Sequence, residues 1–396
     1  MEPRELRQDR IGLTSHGTAI EWNGSPMSEP GFFELLEHWD GLGVLVRRDA
    51  PTGTWIFLAI HDDTLGPATG GCRMKVYAQP EDGLRDALRL SEGMTYKWAA
   101  MDFPFGGGKT VLAIPRPLQE DERRGLLLRF GDLLNSLGGR YGTGADLGTT
   151  TDDMQTIAEV SEYVIGVHGR SDGPMDPSPF TALGVFAGIR SAVGHRFGSS
   201  VLDGRSVLVQ GVGAVGGPLV HHLAESGATV LVSDADAEVA SKVAAAVSGV
   251  VVAPSEVYTT ECDVYAPCAV GATLNKESIG SLQCAIVAGA ANNQLESPDD
   301  AGRLAERGIL YAPDYVINGG GAMAFTLIYQ GLEPLSAVKE RVLGIGAHLT
   351  SIFEECERTG VSPVDAARSQ AERVLARGPE HPEMSSFAEL RGRLAL

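Results

Sequence analysis

Two lysines and an aspartate carry the first suggestion of chemistry. Lys97 and Lys109 lie at either end of the stretch "KWAAMDFPFGGGK". Their neighbours are Met, Tyr, Trp, Ala, Phe and Pro, which make a poorly solvated cleft rather than open surface. A phosphate loop of the form GxxxxGK[ST] would need glycine at position 103, where Phe103 stands, and Pro104 removes an N–H that a phosphate cradle would use. A solvated surface fits badly with the apolar flanks. The remaining reading is a substrate site with two cations. One ammonium neutralises an anionic group. The second, close to the first and partly desolvated, has a lowered pKa and can exchange a proton near neutral pH.

Downstream, "GRYGTGADLGTTTDDM" holds Asp146 among glycines and threonines. The residues alone leave two readings open, a pocket carboxylate or a turn aspartate. Asp152 and Asp153 read as a cap and first turn of a helix.

A second constellation lies in "SVLVQGVGAVGGPLVHHLAESGATVLVSDAD". The span Gly211, Val212, Gly213, Ala214, Val215, Gly216 is a GxGxxG that follows an apolar strand and opens a helix. Asp234 closes the next strand 18 residues after Gly216, close to the spacing of about 20 expected for a dinucleotide site. The glycines permit a tight turn and close approach to a pyrophosphate, and the helix N-terminus offers free N–H groups. Asp234 would accept hydrogen bonds from a ribose diol, and its charge favours NAD over NADP.

These sites need elements to hold them. "DGLRDALRLSEGMTYKWAAM" has apolar residues at helical spacing (Leu84, Ala87, Leu88, Leu90) and places Lys97 near its last turn. "GGGKTVLAI" reads as a turn running into a strand. A helix near "FFELLEHW" and strands "LGVLVRR" and "TWIFLAIH" precede them. From Asp203 to about Asn318, short β-rich runs alternate with helical ones, which predicts a parallel sheet covered by helices. The stretch from about Pro334 is helical and amphipathic. A Pro-rich connection near Pro174 separates the two parts.

The chain has 396 residues, room for two or three domains, and a formal net charge of −19. That charge argues against a nucleic-acid partner. No uninterrupted apolar stretch is long enough to span a bilayer, so no membrane partner is expected. Five cysteines are odd in number and widely spaced, without metal-ligand spacing. They read as reduced, mostly buried thiols of a cytoplasmic protein, with no metal.

"LGPATGGCRM", "GMTYKWAA", "FPFGGGKTVL", "GADLGTTTDDM", "VQGVGAVG", "APCAVGATLN", "GAANNQL" and "YAPDYVINGGG" occur in this order. Together they resemble the glutamate/leucine/phenylalanine/valine dehydrogenase family, the leucine dehydrogenase type above all, over about residues 32 to 375. The resemblance implies an α/β protein with two domains about a cleft. An N-terminal arm (1–31) precedes an α/β substrate domain (32–175). A Rossmann-type NAD-binding domain (176–333) follows, and C-terminal helices (334–396) return to the first domain. It implies that Lys97 binds the substrate carboxylate, that Lys109 is the catalytic lysine and that Asp146 assists proton transfer. Gly70 and Gly71 border the substrate, and Asn293 lies near nicotinamide and substrate. The reaction implied is reversible, an L-amino acid with NAD+ and water giving a 2-oxo acid, ammonium and NADH. The glycine run would let Lys109 reach the reacting centre free of β-carbons. A homo-oligomer is the family habit.

Substrate choice rests on a few positions. Glutamate-specific relatives carry lysine where Thr69 stands, so the resemblance implies an apolar substrate. Gly144 and Ala322 enlarge the pocket, while Phe325 is either an aromatic wall or a filler of that space. A branched-chain acid is the first reading and an aromatic acid the second. Two rivals differ in class. One is a catalytically silent dinucleotide-binding regulator, which the presence of Lys97, Lys109 and Asp146 opposes. The other is a 2-hydroxyacid dehydrogenase, which would want a histidine by the nicotinamide. His168, His221 and His222 lie in poor contexts for that.

Overall fold

The computed structural model describes residues 31–165, 167, 176–329 and 334–378. The N-terminal arm, apart from Gly31, lies outside them, as do Pro174 and His168. Helix α1 (Phe32–Glu37) belongs to a unit ending at His38; its N-terminus is closed by Glu34 Oε2, which accepts from Gly31 N at 3.0 Å. All elements below belong to the unit that starts at Trp39.

The first sheet has the order β1 (Gly43–Asp49), β2 (Thr54–Asp62), β4 (Gly106–Ile114), β3 (Ala68–Val76), β5 (Tyr141–Ala145). Strand β2 pairs antiparallel with both β1 and β4, and β3 runs parallel to β4 and β5. Helix α2 (Pro80–Ala100) packs on β4 and β2, α3 (Glu120–Asn135) packs on α4 (Thr151–Ala158), and α4 meets β5. Proline at the start of α2 suits a position whose N–H has no partner in the helix. Its buried face carries Leu84, Ala87, Leu88, Ser91, Thr95 and Trp98; Leu90, at the same expected spacing, is only half-buried. Lys97 falls in the last turn, as its periodicity predicts.

The glycine run is different from its reading as a turn. Gly106 to Gly108 are already strand, and every residue of β4 is buried. The reason is packing rather than a bend. A β-carbon on Gly107 would lie 2.1 Å from Thr95 Oγ1, and one on Gly108 would lie 2.6 Å from the Tyr141 ring. The missing side chains let α2 and Tyr141 close on the strand.

The second sheet is wholly parallel. Its strands are β6 (Ser206–Gln210), β7 (Thr229–Ser233), β8 (Val250–Val251), β9 (Val264–Pro267), β10 (Ile286–Val287) and β11 (Leu310–Tyr311), in the order β11-β10-β9-β6-β7-β8. The chain leaves β6 toward β7 and β8, then crosses back to β9. The crevice beyond β6 and β9 is therefore the switch point at which ligands of such sheets bind. Helices α5 (Ser178–Phe197), α6 (Gly216–Glu225), α7 (Ala237–Ala246), α8 (Lys276–Ser281), α9 (Asp299–Glu306), α10 (Asp314–Ile317) and α11 (Gly320–Tyr329) accompany the sheet.

Helices α12 (Leu335–Leu343), α13 (Ile345–Thr359) and α14 (Pro363–Arg377) complete the described chain. Helix α13 packs on α5, and α14 returns to α2. There Arg368 donates to Tyr96 Oη at 3.3 Å, and Arg377 pairs with Asp102. Two α/β domains about a cleft is the expected fold class; of the last helices, α14 folds back to the first, whereas α12 and α13 pack on α5. All five cysteines are free thiols; Cys72 is buried, and the other four are partly buried against the core. Among the described residues, no helix is long and apolar enough to cross a membrane.

Candidate active site

Strands β3, β4 and β5 bring the chemistry together at their ends. Gly70 pairs with Thr143 and Gly71 with Gly144 in the β3–β5 ladder. A β-carbon on Gly70 would lie 1.7 Å from the carbonyl oxygen of Gly108. One on Gly71 would lie 2.7 Å from Asp146 Cβ and 3.2 Å from Lys109 Nζ. The glycine pair thus leaves the space in which lysine and aspartate meet.

Lys109, 5% exposed, places Nζ 3.2 Å from Asp146 Oδ1. Asp146 also receives Arg73 Nε at 2.8 Å on Oδ2, and its backbone N–H donates to Thr149 Oγ1 at 3.0 Å. Lys97 donates to Asn318 Oδ1 at 2.8 Å, and Asn318 Nδ2 donates to Asn292 Oδ1 at 2.7 Å and to the Ala290 carbonyl at 3.2 Å. Sequence reasoning picked out neither Arg73 nor Asn318, although both stand inside conspicuous stretches, "GGCRM" and "YVINGGG".

Electrostatics separate these groups. Burial lowers the Lys97 ammonium to about 8, with Asp314 opposing and Lys109 assisting. Burial likewise lowers Lys109; Asp146 opposes and Arg73 assists. Desolvation is the leading cause for both lysines, and the like charge acting on Lys109 is Arg73 rather than Lys97. Burial pushes the Asp146 carboxyl up, but Lys109 and Arg73 outweigh it and hold it below its ordinary value. The result is a persistent carboxylate beside an amine that gives up its proton more readily than usual, an arrangement suited to proton transfer.

These groups line one cavity of about 730 Å³. Thr69, Gly70, Gly71, Lys97, Lys109, Gly144, Asp146, Ala322 and Phe325 all face it, and so does Val215 of the glycine loop. Met94, Trp98 and Ile165 make its walls largely apolar. Asn293, which has a positive φ of 51°, lines an adjoining cavity that Lys97, Lys109 and Asp146 also line, and its Oδ1 accepts from Arg89 at 3.2 Å; Asn292 lines both cavities. Phe325 is half-buried, and its ring edge lies 3.0 Å from where a Gly144 β-carbon would point. Asp152 and Asp153 open α4 as expected, though Thr150 is the cap and Asp153 answers it while pairing with Arg123 at 2.6 Å. His221 and His222 lie on α6, outside the cavity lining.

The family model for Glu/Leu/Phe/Val dehydrogenase, dimerisation domain, matches residues 52–163, and that for Glutamate/Leucine/Phenylalanine/Valine dehydrogenase matches residues 238–371. A leucine dehydrogenase of Bacillus subtilis is 39% identical over 345 residues, covering 87% of this chain and 94% of its own. The chain belongs to the Glu/Leu/Phe/Val dehydrogenase family. An L-tryptophan dehydrogenase of Nostoc punctiforme is 46% identical over 316 residues, covering 80% of this chain and 88% of its own. The crystal structure of L-tryptophan dehydrogenase from that organism superposes with a TM-score of 0.77 at 41% identity, covering 87% of this chain and 98% of that one. As a Glu/Leu/Phe/Val dehydrogenase, the protein is an amino acid dehydrogenase that works with a nicotinamide dinucleotide.

The residues after β6 fit such a cofactor. Gly211 has φ +89°, which a side chain would strain. A β-carbon on Gly216 would lie 1.9 Å from the Gly211 carbonyl oxygen, so helix and loop close only with glycine there. Nothing lies within 4 Å of the position a Gly213 β-carbon would take, which leaves backbone open to an incoming pyrophosphate. Asp234 is held by the Val212 N–H at 2.8 Å on Oδ2 and the Asp236 N–H at 3.0 Å on Oδ1. It remains partly exposed at the end of β7, with lone pairs free for a diol.

Proposed function

We propose that the enzyme catalyses the reversible NAD-dependent oxidative deamination of an apolar L-amino acid, a branched-chain one first, to its 2-oxo acid and ammonium. One observation carries this reading: Lys97, Lys109 and Asp146 share a cavity whose other walls are largely apolar, with Thr69 offering no cation for a second carboxylate. We assign residues 32–175 to the substrate domain, 176–333 to the nucleotide domain and 334–396 to the returning helices. A homo-oligomer accords with the description of the first family match as a dimerisation domain.

Gly211 to Gly216 and Asp234 would hold the dinucleotide, which would supply the hydride acceptor for the substrate Cα. The Lys97 ammonium, steadied by Asn318, holds the α-carboxylate. Lys109 in its neutral form takes a proton from the water whose oxygen attacks the substrate iminium carbon. Asp146 carries protons to and from the substrate nitrogen, so that the carbinolamine collapses to oxo acid and ammonia. The apolar walls keep other water away.

A panel of L-amino acids followed by NADH absorbance, with the reverse reaction run with and without ammonium, tests the whole. An apolar acid should give the highest kcat/KM, and reduction of the 2-oxo acid should require ammonium. Glutamate as the best substrate, or ammonium-independent reduction, would refute it.

Three further results are expected. Lys97→Ala should raise KM by about 10- to 100-fold, the worth of a charge-assisted hydrogen bond, with a lesser loss of kcat. A carboxylate inhibitor should bind wild type less tightly as pH rises through about 8, because the ammonium loses its proton there. Pre-steady-state binding across pH checks this, and pH-independent affinity would contradict it. For the cofactor, Asp234 should repel a 2′-phosphate, giving NAD+ a kcat/KM advantage over NADP+ of at least ~10-fold; the reverse preference would exclude the assigned role. The third concerns the pocket. The Phe325 ring occupies the room that Gly144 leaves, which supports the branched-chain reading; the 46% identity to a tryptophan dehydrogenase and the small Ala322 support an aromatic one. Gly144→Ala should push the ring into the cavity and lower kcat/KM for L-phenylalanine by about 10-fold or more, with a smaller loss for L-valine. Equal losses would mean that Phe325 does not bound the substrate side chain.

A further inference from the structure

Arg73 is unused in the scheme above. It stands two residues after Gly71 on β3, so both face the same side of the sheet, the side on which Asp146 lies. Its Nε donates to Asp146 Oδ2 at 2.8 Å, opposite the oxygen that meets Lys109. Its Nη1 donates to Asp86 Oδ2 at 3.0 Å. Asp86 is itself fixed by Tyr77 Oη at 2.7 Å and by Arg89 at 3.1 Å. The side chain of Arg73 is 17% exposed. A guanidinium anchored at its outer arm therefore presents an aimed N–H to the candidate acid–base pair.

We propose that Arg73 is a positioning residue, which holds the Asp146 carboxylate in place and charged while Lys109 exchanges its proton. The proposal rests on the acid–base reading of Lys109 and Asp146. A carboxylate paired with lysine alone would lose its counter-charge when the lysine became neutral. Its own proton affinity would then rise, and it would hold the proton it is meant to pass on. A guanidinium never gives up its proton in this pH range, and its planar fork fixes direction as well as charge.

The other charged or titratable groups near the pair are Lys97, Asp86 and Arg89 of α2, Cys72 and Tyr77 on and after β3, Tyr141 of β5 and Asp314 of α10. Burial pushes the Cys72 thiol and the Tyr141 phenol up, which keeps both neutral, and raises the Asp314 carboxyl. Asp86 is engaged with Arg73, Arg89 and Tyr77. Among the described residues, Lys109 and Arg73 are the cations in contact with Asp146.

The test compares Arg73→Gln, Arg73→Lys and Asp86→Asn in the full chain by kcat, KM, the pH profile of kcat/KM for deamination, and Tm. Removing the positive charge strengthens proton binding by both Lys109 and Asp146. Arg73→Gln should therefore move the acid limb to higher pH by about one unit or more. It should also lower kcat by ~10²-fold, the cost of a misplaced catalytic group. KM should change little. Arg73→Lys should restore the limb without restoring full kcat. Asp86→Asn, which removes the carboxylate that anchors the outer arm and leaves the guanidinium in place, should lower kcat severalfold and serves if Arg73→Gln fails to fold. An unmoved limb with normal kcat in Arg73→Gln, equal losses in Gln and Lys variants with the limb unmoved, or a normal kcat in Asp86→Asn would each overturn the proposal. Undiminished turnover in Lys109→Ala would instead remove the acid–base reading beneath it.

Discussion

Lys109→Ala is expected to reduce kcat by about 10²–10⁴-fold, the contribution of a well-placed proton-transfer group. Binding of NADH should change far less, because the dinucleotide is proposed to lie on the glycine loop and Asp234 rather than on Lys109. Lys109 is buried and 3.2 Å from Asp146. An exposed lysine would be almost wholly protonated at neutral pH and a poor base. Burial, aided by Arg73 and opposed by Asp146, lowers its proton affinity. The deamination rate should accordingly fall as pH drops through the lysine's folded-state pKa, since protonation removes the base. The measurements are steady-state kcat at saturating substrate and a fluorescence titration with NADH. Near-normal turnover of the variant sinks the mechanism; a parallel loss of NADH affinity would mean that Lys109 supports the cleft rather than the reaction.

Asp146→Asn should lower kcat by ~10²-fold or more, because proton passage to the substrate nitrogen loses its carrier. It should also destabilise the protein, because the ammonium of Lys109 and the guanidinium of Arg73 are left facing an amide. Breaking a fully buried pair costs about 3–5 kcal/mol, and the partial exposure of Asp146 reduces that to about 1–3 kcal/mol. The pH dependence has a definite sign. The folded-state pKa of Asp146 lies below its ordinary value of 3.8. Its stabilising contribution is therefore complete above about pH 4 and fades as pH falls through the folded-state value. The Tm gap between wild type and Asp146→Asn should be widest near neutrality and close in acid. A gap that persists unchanged at pH 3, or a variant with wild-type kcat, would contradict the assigned pairing.

Much of this enzyme follows from local sequence. The apolar spacing of α2 puts Lys97 in its last turn, because a period of 3.6 residues is set by neighbours in the chain. The Gly211–Gly216 loop and the acid at Asp234 are legible for a similar reason: strand, turn, helix and strand follow one another within about 30 residues, and the steric need for each glycine is local. Thr69 and the two lysines could be recognised as a set from their order along the chain.

Tertiary structure decided the rest, because the deciding contacts join distant residues. Gly106 to Gly108 look like a turn, but what they meet is α2, Asp62 and Tyr141, so they are strand. Arg73 reaches Asp146 only because β3 and β5 are neighbours, and Lys97 reaches Asn318 only because α10 packs on α2. Sequence suggested that repulsion and partial desolvation would lower one lysine; burial is the leading cause for both, and burial is a property of everything packed around a group. Phe325 lines the cavity with its ring edge against Gly144, a meeting of two positions far apart in the chain that spacing could not show. Periodicity and spacing reach as far as the next turn or strand, whereas proton affinity and pocket shape depend on groups that meet only after the chain has folded.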